Sequence, residues 1–396
     1  MISSVPDPFF EKAANTEWNA CIGIQGNEDH YIFGYIEAAE LLSERILGEK
    51  LWSKRDTLIL PILYVTRHGL ELALKKVCDS FFNLGILTER PKKVHDIKFY
   101  WELLDKLNFG DREFKTLLSG LKLYVDSLSN IDDDGQELRY FKNIDGNRSM
   151  EDKSIVNIAL VYRSVGELKK IVSEIIYRTK NISRERQFES HTNACSRKDL
   201  IALANQLPNR DNWDSVAFSN AKKRIIRDYA LSNRQFSKAL DKIQSNRHMK
   251  TFIGLQTELN WITDEHLKLV LQRWATIHFE MNSTKNSVVN VKKYLEENFE
   301  EFSQYHNDKA IAVNYLSEHL PATSVIDLEK IYHDGREADL AEFYDYSTNK
   351  LSHEIEEVHD KIGTLHYLLS KTNLMNCVIK GLIRLGRPDL SSELAG

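Results

Sequence analysis

Cysteine, proline and glycine are all scarce in this sequence. Its four cysteines are scattered along 396 residues with no CxxC pair, so neither a disulfide framework nor a zinc knuckle is indicated. Only seven prolines and 17 glycines interrupt the chain, which favours long helices over a fold of many β-strands. The sequence therefore predicts an all-α protein, with an N-terminal helical bundle followed by a second helical domain.

Long apolar runs are also missing. The longest, residues 58–65, contains a proline and is far shorter than the roughly 20 residues that span a bilayer. Residues 1–7 have neither the basic flank nor the apolar core of a secretory signal. These absences predict a soluble, cytoplasmic protein with no membrane partner.

Several motifs that identify enzymes are absent. The sequence has no Walker loop, no GxGxxG after a strand and no GxSxG elbow, which argues against nucleotide hydrolysis, dinucleotide binding and serine hydrolysis. His353 and His359 lie six residues apart, whereas a zinc-binding helix needs two histidines four apart. His359 and His366 share a helix face but stand about 10 Å apart. We therefore predict no metal site and no cofactor.

Charge is unevenly distributed, although the net charge is only -5. Residues 184–250 contain 14 Lys and Arg against 7 Asp and Glu, while residues 292–360 contain 6 against 17. A basic middle and an acidic C-terminal third either form a polyanion-binding face or pack on each other.

Apolar residues at helical spacing divide the chain into regions. Residues 1–30 are irregular, and a helical bundle is predicted over 31–178. A polar linker at 179–196 leads to a helical domain over 197–396, which contains a basic hairpin at 220–250 and an acidic third at 292–360. The helices predicted in the bundle cover about 31–48, 57–82, 97–107, 111–129 and 152–178.

A ladder of charged residues runs along the second predicted helix. Steps of four place Arg67, Glu71 and Lys75 above one another, beside an apolar stripe. The ladder is either an exposed line of salt bridges or a phosphate site, in which a carboxylate holds the basic group. Further along, Asp96 is positioned to cap the third helix.

Several short motifs around this ladder resemble a bacterial branch of the HEPN superfamily, over roughly residues 30 to 175. They are Tyr35 with Glu37-Ala38-Ala39, Pro61-Ile62-Leu63, Arg67-His68 with Glu71-Leu72 and Leu74-Lys75, His95-Asp96, and Arg139-Tyr140 before Asp145-Gly146. The resemblance implies a helical bundle that commonly forms a homodimer. Many proteins of this superfamily are ribonucleases of toxin–antitoxin, abortive-infection and antiviral systems.

The catalytic spacing usual in that superfamily is Arg, four to six residues, then His, with a polar residue after the Arg. The pairs with such a spacing are Arg90/His95, Arg184/His191, Arg186/His191 and Arg273/His278. None has the Asn, Asp or His that usually follows the Arg. We interpret His95 of the first pair as part of the superfamily's structural His-Asp motif, here His95-Asp96. We interpret Arg273 and His278 as packing residues. Arg186 with His191 lies in the polar linker and is a further catalytic candidate.

The resemblance assigns roles to the residues around the ladder. Arg67 is expected to face a phosphate, with Glu71 orienting it. His68 or His95 is the candidate acid or base, because histidine titrates near neutral pH. Lys75 and Arg139 are candidate phosphate-binding residues.

A second basic surface is predicted near residue 230. Ser232 and Gln235 match a capping box at the start of its second helix. Such a segment is either a helix-turn-helix or a two-helix hairpin with a solvated basic face. The candidate nucleic-acid-binding residues are Lys222, Lys223, Arg224, Arg227, Arg234, Lys238 and Lys242.

The leading hypothesis is an RNA-directed effector of a bacterial defence or stress system, acting as a metal-independent ribonuclease. One alternative is a non-catalytic scaffold or sensor that binds nucleic acid or a partner protein of the same system. Another is an antitoxin-like inhibitor, whose acidic C-terminal third masks a basic partner.

Overall fold

A computed structural model describes residues 9–10, 15–142, 146–151, 153–278, 299–337, 340–351 and 360–395. Within these ranges the chain forms 15 α-helices and no strand, and 69% of it is helical. An isolated bridge joins Lys142 and Arg148. The prediction of an all-α protein is confirmed. Asp145, Asp152, His353 and His359 lie outside the described residues, as do parts of the acidic third.

The chain folds into two compact units. The first comprises the described residues of Met1–Asn108 and Glu113–Ser183, and the second those of Phe109–Arg112 and Arg184–Gly396. The helices that build the first unit are α1 (Glu28–Gly48), α2 (Arg55–Asn83), α3 (Ile97–Asp105), α4 (Arg112–Ile131) and α5 (Ile158–Gln187).

Helix α5 is displaced relative to the helix predicted from sequence. It begins later because the Asn157 side chain accepts hydrogen bonds from the backbone N–H groups of Ala159 and Leu160 at 2.9 and 3.2 Å, which caps a helix start there. It also continues through Gln187. Residues 179–187 of the expected linker are therefore helical, with Ile182 only 3% exposed.

Close packing of α1 against α2 depends on Gly69. A Cβ atom at Gly69 would lie 2.6 Å from Cγ1 of Ile36 and 3.0 Å from the carbonyl oxygen of Ile32. Ile32 and Ile36 are fully buried against this position. The small residue brings the two helices together and fixes the face that α2 turns to the core.

Helix α2 is long and apolar enough to cross a membrane, and half of its most apolar 18-residue stretch is buried inside the protein. The core helix of a soluble protein meets the same criteria. The cytoplasmic location and the absence of a membrane partner therefore stay predictions.

The second unit contains two hydrophobic cores, one formed by residues between 195 and 253 and the other by residues between 262 and 390. Arg247, which is 6% exposed, pairs with Asp345 at 2.8 Å and donates to the carbonyls of Glu258 and Leu385. The helices of the second unit are α6 (Arg197–Ala204), α7 (Val216–Asp228), α8 (Asn233–Ser245), α9 (Asp264–His278), α10 (Phe299–His319), α11 (Ala322–Glu337), α12 (Glu342–Leu351), α13 (Lys361–Leu369), α14 (Leu374–Arg384) and α15 (Pro388–Ala395).

Gly381 sets the distance between α11 and α14. A Cβ atom at this position would lie 2.2 Å from the carbonyl oxygen of Ile331, so Gly381→Ala forces the two helices apart. We expect the substitution to lower the free energy of unfolding by about 2 kcal/mol, measured by urea denaturation. Gly120→Ala, at an exposed position of α4, meets only an ordinary contact at 3.9 Å and is expected to be neutral or stabilising. Equal effects of the two changes would contradict the packing described.

Candidate functional site

The predicted charge ladder lies on one face of α2. Nη1 of Arg67 is 3.1 Å from Oε2 of Glu71, and Nζ of Lys75 is 2.6 Å from Oε1 of the same carboxylate. The side chain of Glu71 is only 3% exposed, while that of Lys75 is 27% exposed. Glu71 therefore lies in the middle of a charged line that is buried at Arg67 and reaches the surface at Lys75.

Arg67 is buried and committed to acceptors within the protein. It is 2% exposed, and its Nε donates to the carbonyl oxygen of Asp132 at 2.7 Å. Its Nη2 donates to the carbonyls of His95 and Asp133 at 2.8 and 3.0 Å. Together with the contact to Glu71, these bonds join α2 to two separate loops.

This burial does not fit the phosphate-facing role that the sequence led us to expect for Arg67. A guanidinium has five N–H donors, and four hydrogen bonds to the protein occupy it here. Solvent and ligands do not reach it. We therefore assign Arg67 a positioning role, in which it fixes the loops that surround Glu71.

The turn after α4 is shaped to present its carbonyls to Arg67. The carboxylate of Asp132 accepts from the backbone N–H groups of Glu137 and Leu138 at 3.2 and 3.3 Å. Gly135 has a φ of +82°, and a Cβ atom there would lie 3.3 Å from Nη1 of Arg67. Glycine is thus needed both for the backbone conformation and for the room beside the guanidinium.

Three carboxylates of this turn lie close together, and two of them form hydrogen bonds within the turn itself. The oxygens of Asp132, Asp133 and Asp134 come within 4.8 Å of one another. Asp132 accepts the two backbone N–H groups named above, and Asp134 accepts from the backbone N–H of Gln136 at 2.9 Å. We assign the carboxylates of Asp132 and Asp134 to turn formation.

His95 is held by Glu71 and exposed to solvent. Its Nδ1 lies 2.9 Å from Oε1 of Glu71, and its side chain is 61% exposed. Asp96 caps α3, as predicted, by accepting from the N–H groups of Lys98 and Phe99. A carboxylate at Nδ1 places the imidazole proton there and leaves Nε2 as the free basic nitrogen.

The charge of Glu71 persists despite its burial. Burial alone would raise the pKa of Glu71, but the hydrogen bond and charge of Lys75, with those of His95, outweigh it and lower the pKa. Glu71 is therefore ionised at neutral pH. An ionised carboxylate orients His95 and stabilises an imidazolium if the ring takes up a proton.

His68 is less suited to proton transfer than His95. Its ring stacks with that of Tyr64 at a centroid distance of 5.8 Å and makes a T-shaped contact with that of Tyr35 at 4.7 Å. Burial lowers the pKa of His68, even though Glu71 acts in the opposite direction. We therefore assign His68 to packing in its neutral form, with Nδ1 4.0 Å from Oε2 of Glu71.

Two cations are linked to His95 through shared neighbours, and the first, Lys75, contacts the same oxygen of Glu71 as the imidazole does. Lys75 also lies over the ring of Tyr100, with Nζ 5.7 Å from its centroid. Arg139 is exposed and donates through Nε to the carbonyl of Gly135. Gly135 also lies next to His95, since a Cβ atom at Gly135 would be 3.8 Å from Cβ of His95. Gly135 therefore contacts Arg139 and neighbours the histidine.

The other Arg–His pairs occupy different surroundings. In the second unit, burial lowers the pKa of His191, and the charge of Arg186 lowers it further. The structure therefore brings Arg186 and His191 together, but both are half-buried. His278 is 4% exposed, and its Nε2 lies 2.8 Å from the carbonyl of Leu369, which agrees with the packing role expected of it.

The basic residues predicted near residue 230 lie on α7 and α8 of the second unit. Five of them are exposed, whereas Lys222 and Lys242 are half-buried. Nζ of Lys222 lies 5.8 Å from the ring centroid of Phe236. The exposed cations are Lys223, Arg224, Arg227, Arg234 and Lys238.

Sequence reasoning missed the loop carbonyls that surround Arg67. They belong to residues far from α2 in the chain, and the backbone carries no residue-specific signal. One indication was present in retrospect, because the run Asp132-Asp133-Asp134-Gly135 predicts a turn. The carbonyl oxygens of Asp132 and Asp133 accept the hydrogen bonds from Arg67.

The low pKa of Glu71 predicts a pH-dependent contribution to stability. Because its folded pKa lies below the ordinary value of 4.5, the contribution is complete above about pH 4.5 and is lost as pH falls through the folded pKa. Glu71→Gln should lower the free energy of unfolding by about 2–3 kcal/mol at pH 7. The difference from the unmodified protein should shrink below pH 4.5.

Urea denaturation over a range of pH values measures this effect. Glu167→Gln is a matched control, because Glu167 pairs with Lys170 at the surface of α5, where its side chain is 52% exposed. Its effect should be small at every pH. A Glu71→Gln penalty that did not change between pH 7 and pH 3 would rule out an ionised carboxylate as its origin.

Comparisons with known proteins gave no match: the chain matches no family model, no curated protein and no solved structure. The HEPN resemblance therefore stays a prediction that rests on the motifs quoted for it.

Proposed function

We propose that the first unit carries an acid–base site at His95, with which the protein cleaves RNA without a metal ion as an effector of a bacterial defence or stress system. One observation carries the proposal. The imidazole of His95 is 61% exposed, while its Nδ1 lies 2.9 Å from a carboxylate that is only 3% exposed. A buried carboxylate that orients an exposed imidazole is the arrangement of a general base.

The proposed reaction uses the ribose itself as nucleophile. Nε2 of His95 takes the proton of a 2′-hydroxyl, and that oxygen bonds to the adjacent phosphorus. The bond between phosphorus and the 5′ oxygen breaks, and this oxygen takes a proton from water. The hydroxide left behind takes the proton from the His95 imidazolium, which restores both the water molecule and the neutral ring. The products are a 2′,3′-cyclic phosphate and a free 5′-hydroxyl, so no net oxidation or water consumption occurs in the step.

The remaining residues of the site have supporting roles in this proposal. Glu71 holds the imidazole and stabilises its protonated form. The half-buried Lys75 and the exposed Arg139 supply positive charge near the phosphate in this proposal. Arg67 holds the two loops around Glu71. In the HEPN superfamily the catalytic signature is an Arg–His pair. The site proposed here differs, because the buried Arg67 does not reach the substrate and His95 acts without it.

The proposal is tested with the purified full-length protein and an end-labelled RNA of mixed sequence. We expect cleavage in EDTA as well as in Mg²⁺, with 2′,3′-cyclic phosphate ends, while DNA of the same sequence stays intact. RNA that remains whole under both conditions, alone and with extract of infected cells, would refute the proposed activity. The homodimer and the partner protein stay predictions of the resemblance.

A second function is favoured by a separate observation. Five cations are exposed on α7 and α8, so the protein is alternatively a non-catalytic scaffold or sensor that binds nucleic acid. Binding without cleavage, lost on charge reversal at Lys223, Arg227 and Lys238, would support this alternative. Loss of a cellular phenotype on His95→Ala, with folding and binding retained, would favour the enzyme.

A further inference from the structure

The α7–α8 pair has a turn of defined geometry. Helix α7 ends at Asp228 and α8 begins at Asn233, so four residues connect them. Ala230 has a φ of +49°, a left-handed conformation that lets the chain reverse direction sharply. Leu231 is 7% exposed and belongs to the same core as Phe236. The connection is therefore short, bent and anchored.

The start of α8 is fixed by the predicted capping box. The Ser232 side chain accepts from the N–H of Gln235, and the Gln235 side chain accepts from the N–H of Ser232 at 2.8 Å. Phe236, Ala239 and Ile243 face the core. Helix α8 cannot rotate without exposing this apolar side. Its opposite face therefore stays at the surface.

That exposed face is rich in groups that donate hydrogen bonds. Asn233, Arg234, Ser237 and Lys238 are all exposed and occupy the first two turns of α8. Asp241 is the exposed acidic residue of the same helix. Amide, guanidinium and ammonium groups are those that proteins use to read base edges in a DNA groove.

Helix α7 adds a second group of exposed cations. Lys223 and Arg227 are one helical turn apart, and Arg224 lies three residues before Arg227, so the three share a side of α7. Arg227 pairs with Asp228 at 2.8 Å, and both side chains are exposed. An exposed ion pair of this kind is weak and leaves the guanidinium able to exchange its partner for a phosphate.

We propose that α7 and α8 form a helix-turn-helix that binds duplex DNA, with α8 in the major groove and α7 against the backbone. The major groove of B-form DNA is about 12 Å wide and admits a helix about 10–12 Å across, whereas the deep groove of duplex RNA is too narrow. Arg234 and Lys238 would contact bases, while Lys223, Arg224 and Arg227 would contact phosphates. This proposal deepens the nucleic-acid-binding alternative and is independent of RNA cleavage at His95.

The first test uses the full-length protein and a library of 30-base-pair duplexes with a randomised centre. Repeated selection at physiological salt is expected to enrich one sequence, which then binds at least about 1,000-fold more tightly than unselected duplex. A library that yields no preferred sequence would overturn the proposal. Equal or tighter binding of duplex RNA that is weakened by Lys223→Ala and Arg234→Ala would overturn it as well.

Single substitutions then separate base contacts from phosphate contacts. Arg234→Ala should reduce the preference for the selected sequence by roughly 10- to 100-fold. Lys223→Ala should weaken binding to all duplexes alike and reduce the slope of log affinity against log salt by about 1. Lys380→Ala, at an exposed position of α14, is the matched control and should change neither quantity.

The outcomes distinguish this proposal from the proposed ribonuclease. His95→Ala protein should bind the selected duplex like the unmodified protein, whatever happens to RNA cleavage. If Arg234→Ala and Lys223→Ala both bind the selected duplex as tightly as Lys380→Ala does, another surface binds DNA and the assignment to α7 and α8 fails. Thermal unfolding followed by circular dichroism confirms that each variant is folded.

Discussion

Replacing Arg67 by methionine is expected to lower the free energy of unfolding by about 3–5 kcal/mol, because the change strands a buried carboxylate and several buried carbonyls. Glu71 would lose the contact at 3.1 Å, and the carbonyls of His95, Asp132 and Asp133 would lose their donor. The loops that carry these carbonyls should then detach from α2. The phosphate-facing role expected from the sequence predicts a far smaller loss of stability.

Urea denaturation of the purified protein measures the effect of Arg67→Met. Arg45→Met is the matched control, because Arg45 also pairs with a glutamate four residues away, Glu49 at 3.0 Å, yet its side chain is 70% exposed. The control should cost about 0.5 kcal/mol or less. Similar small losses for both variants would show that Arg67 does not hold the loops together.

Replacing His95 by alanine is expected to slow RNA cleavage by about 10²- to 10⁴-fold, the usual contribution of a general acid or base. The stability of the protein should change little. Arg67 contacts the carbonyl oxygen of His95 rather than its ring, so the alanine variant retains the bond that holds the loop. The effect on cleavage and the effect on folding are thereby separated at this position.

Single-turnover cleavage of a labelled RNA measures the first effect, and thermal unfolding measures the second. His366→Ala, at an exposed histidine of α13, is the matched control and should leave both unchanged. A His95→Ala protein that cleaves RNA at the unmodified rate would show that the imidazole takes no part in the reaction. Equal loss of activity in His366→Ala would show that the loss in His95→Ala is not specific to the proposed site.

Local features of the fold could be predicted well from the sequence. Helix α2 was predicted to start after Asp56 and to reach about Phe82, and it spans Arg55–Asn83. The caps at Asp96 and Ser232 were also predicted and are present. Such features depend on residues within one or two helical turns, so a single sequence contains the information that determines them.

The orientation of Arg67 could not be predicted in the same way. Steps of four residues place Arg67, Glu71 and Lys75 on one face of a helix but do not indicate what covers that face. The covering groups are the carbonyls of His95 and Asp132, which are 28 and 65 residues away in the chain. Burial of the ladder is thus a tertiary effect, and it gives Arg67 a positioning role in place of the phosphate-facing role expected from the sequence.

The end of α5 shows a similar limit. Residues 179–187 are polar enough to suggest a linker, yet Thr179 and Glu185 are buried and the helix continues to Gln187. The Thr179 hydroxyl donates to the carbonyl of Ile175 at 2.8 Å, which satisfies it inside the helix. Composition describes how polar a segment is, whereas satisfaction of its polar groups decides whether it can be buried.

The most direct test of the account is rescue of the His95→Ala protein by added imidazole. Removing the exposed ring leaves Glu71 in place and opens the space beside it to a small molecule. We predict that imidazole restores RNA cleavage by His95→Ala in a saturable way, with little effect on the unmodified protein and none on a variant that also carries Glu71→Gln. A folded His95→Ala protein that imidazole does not activate at any concentration would contradict a Glu71-held imidazole as the acid–base group.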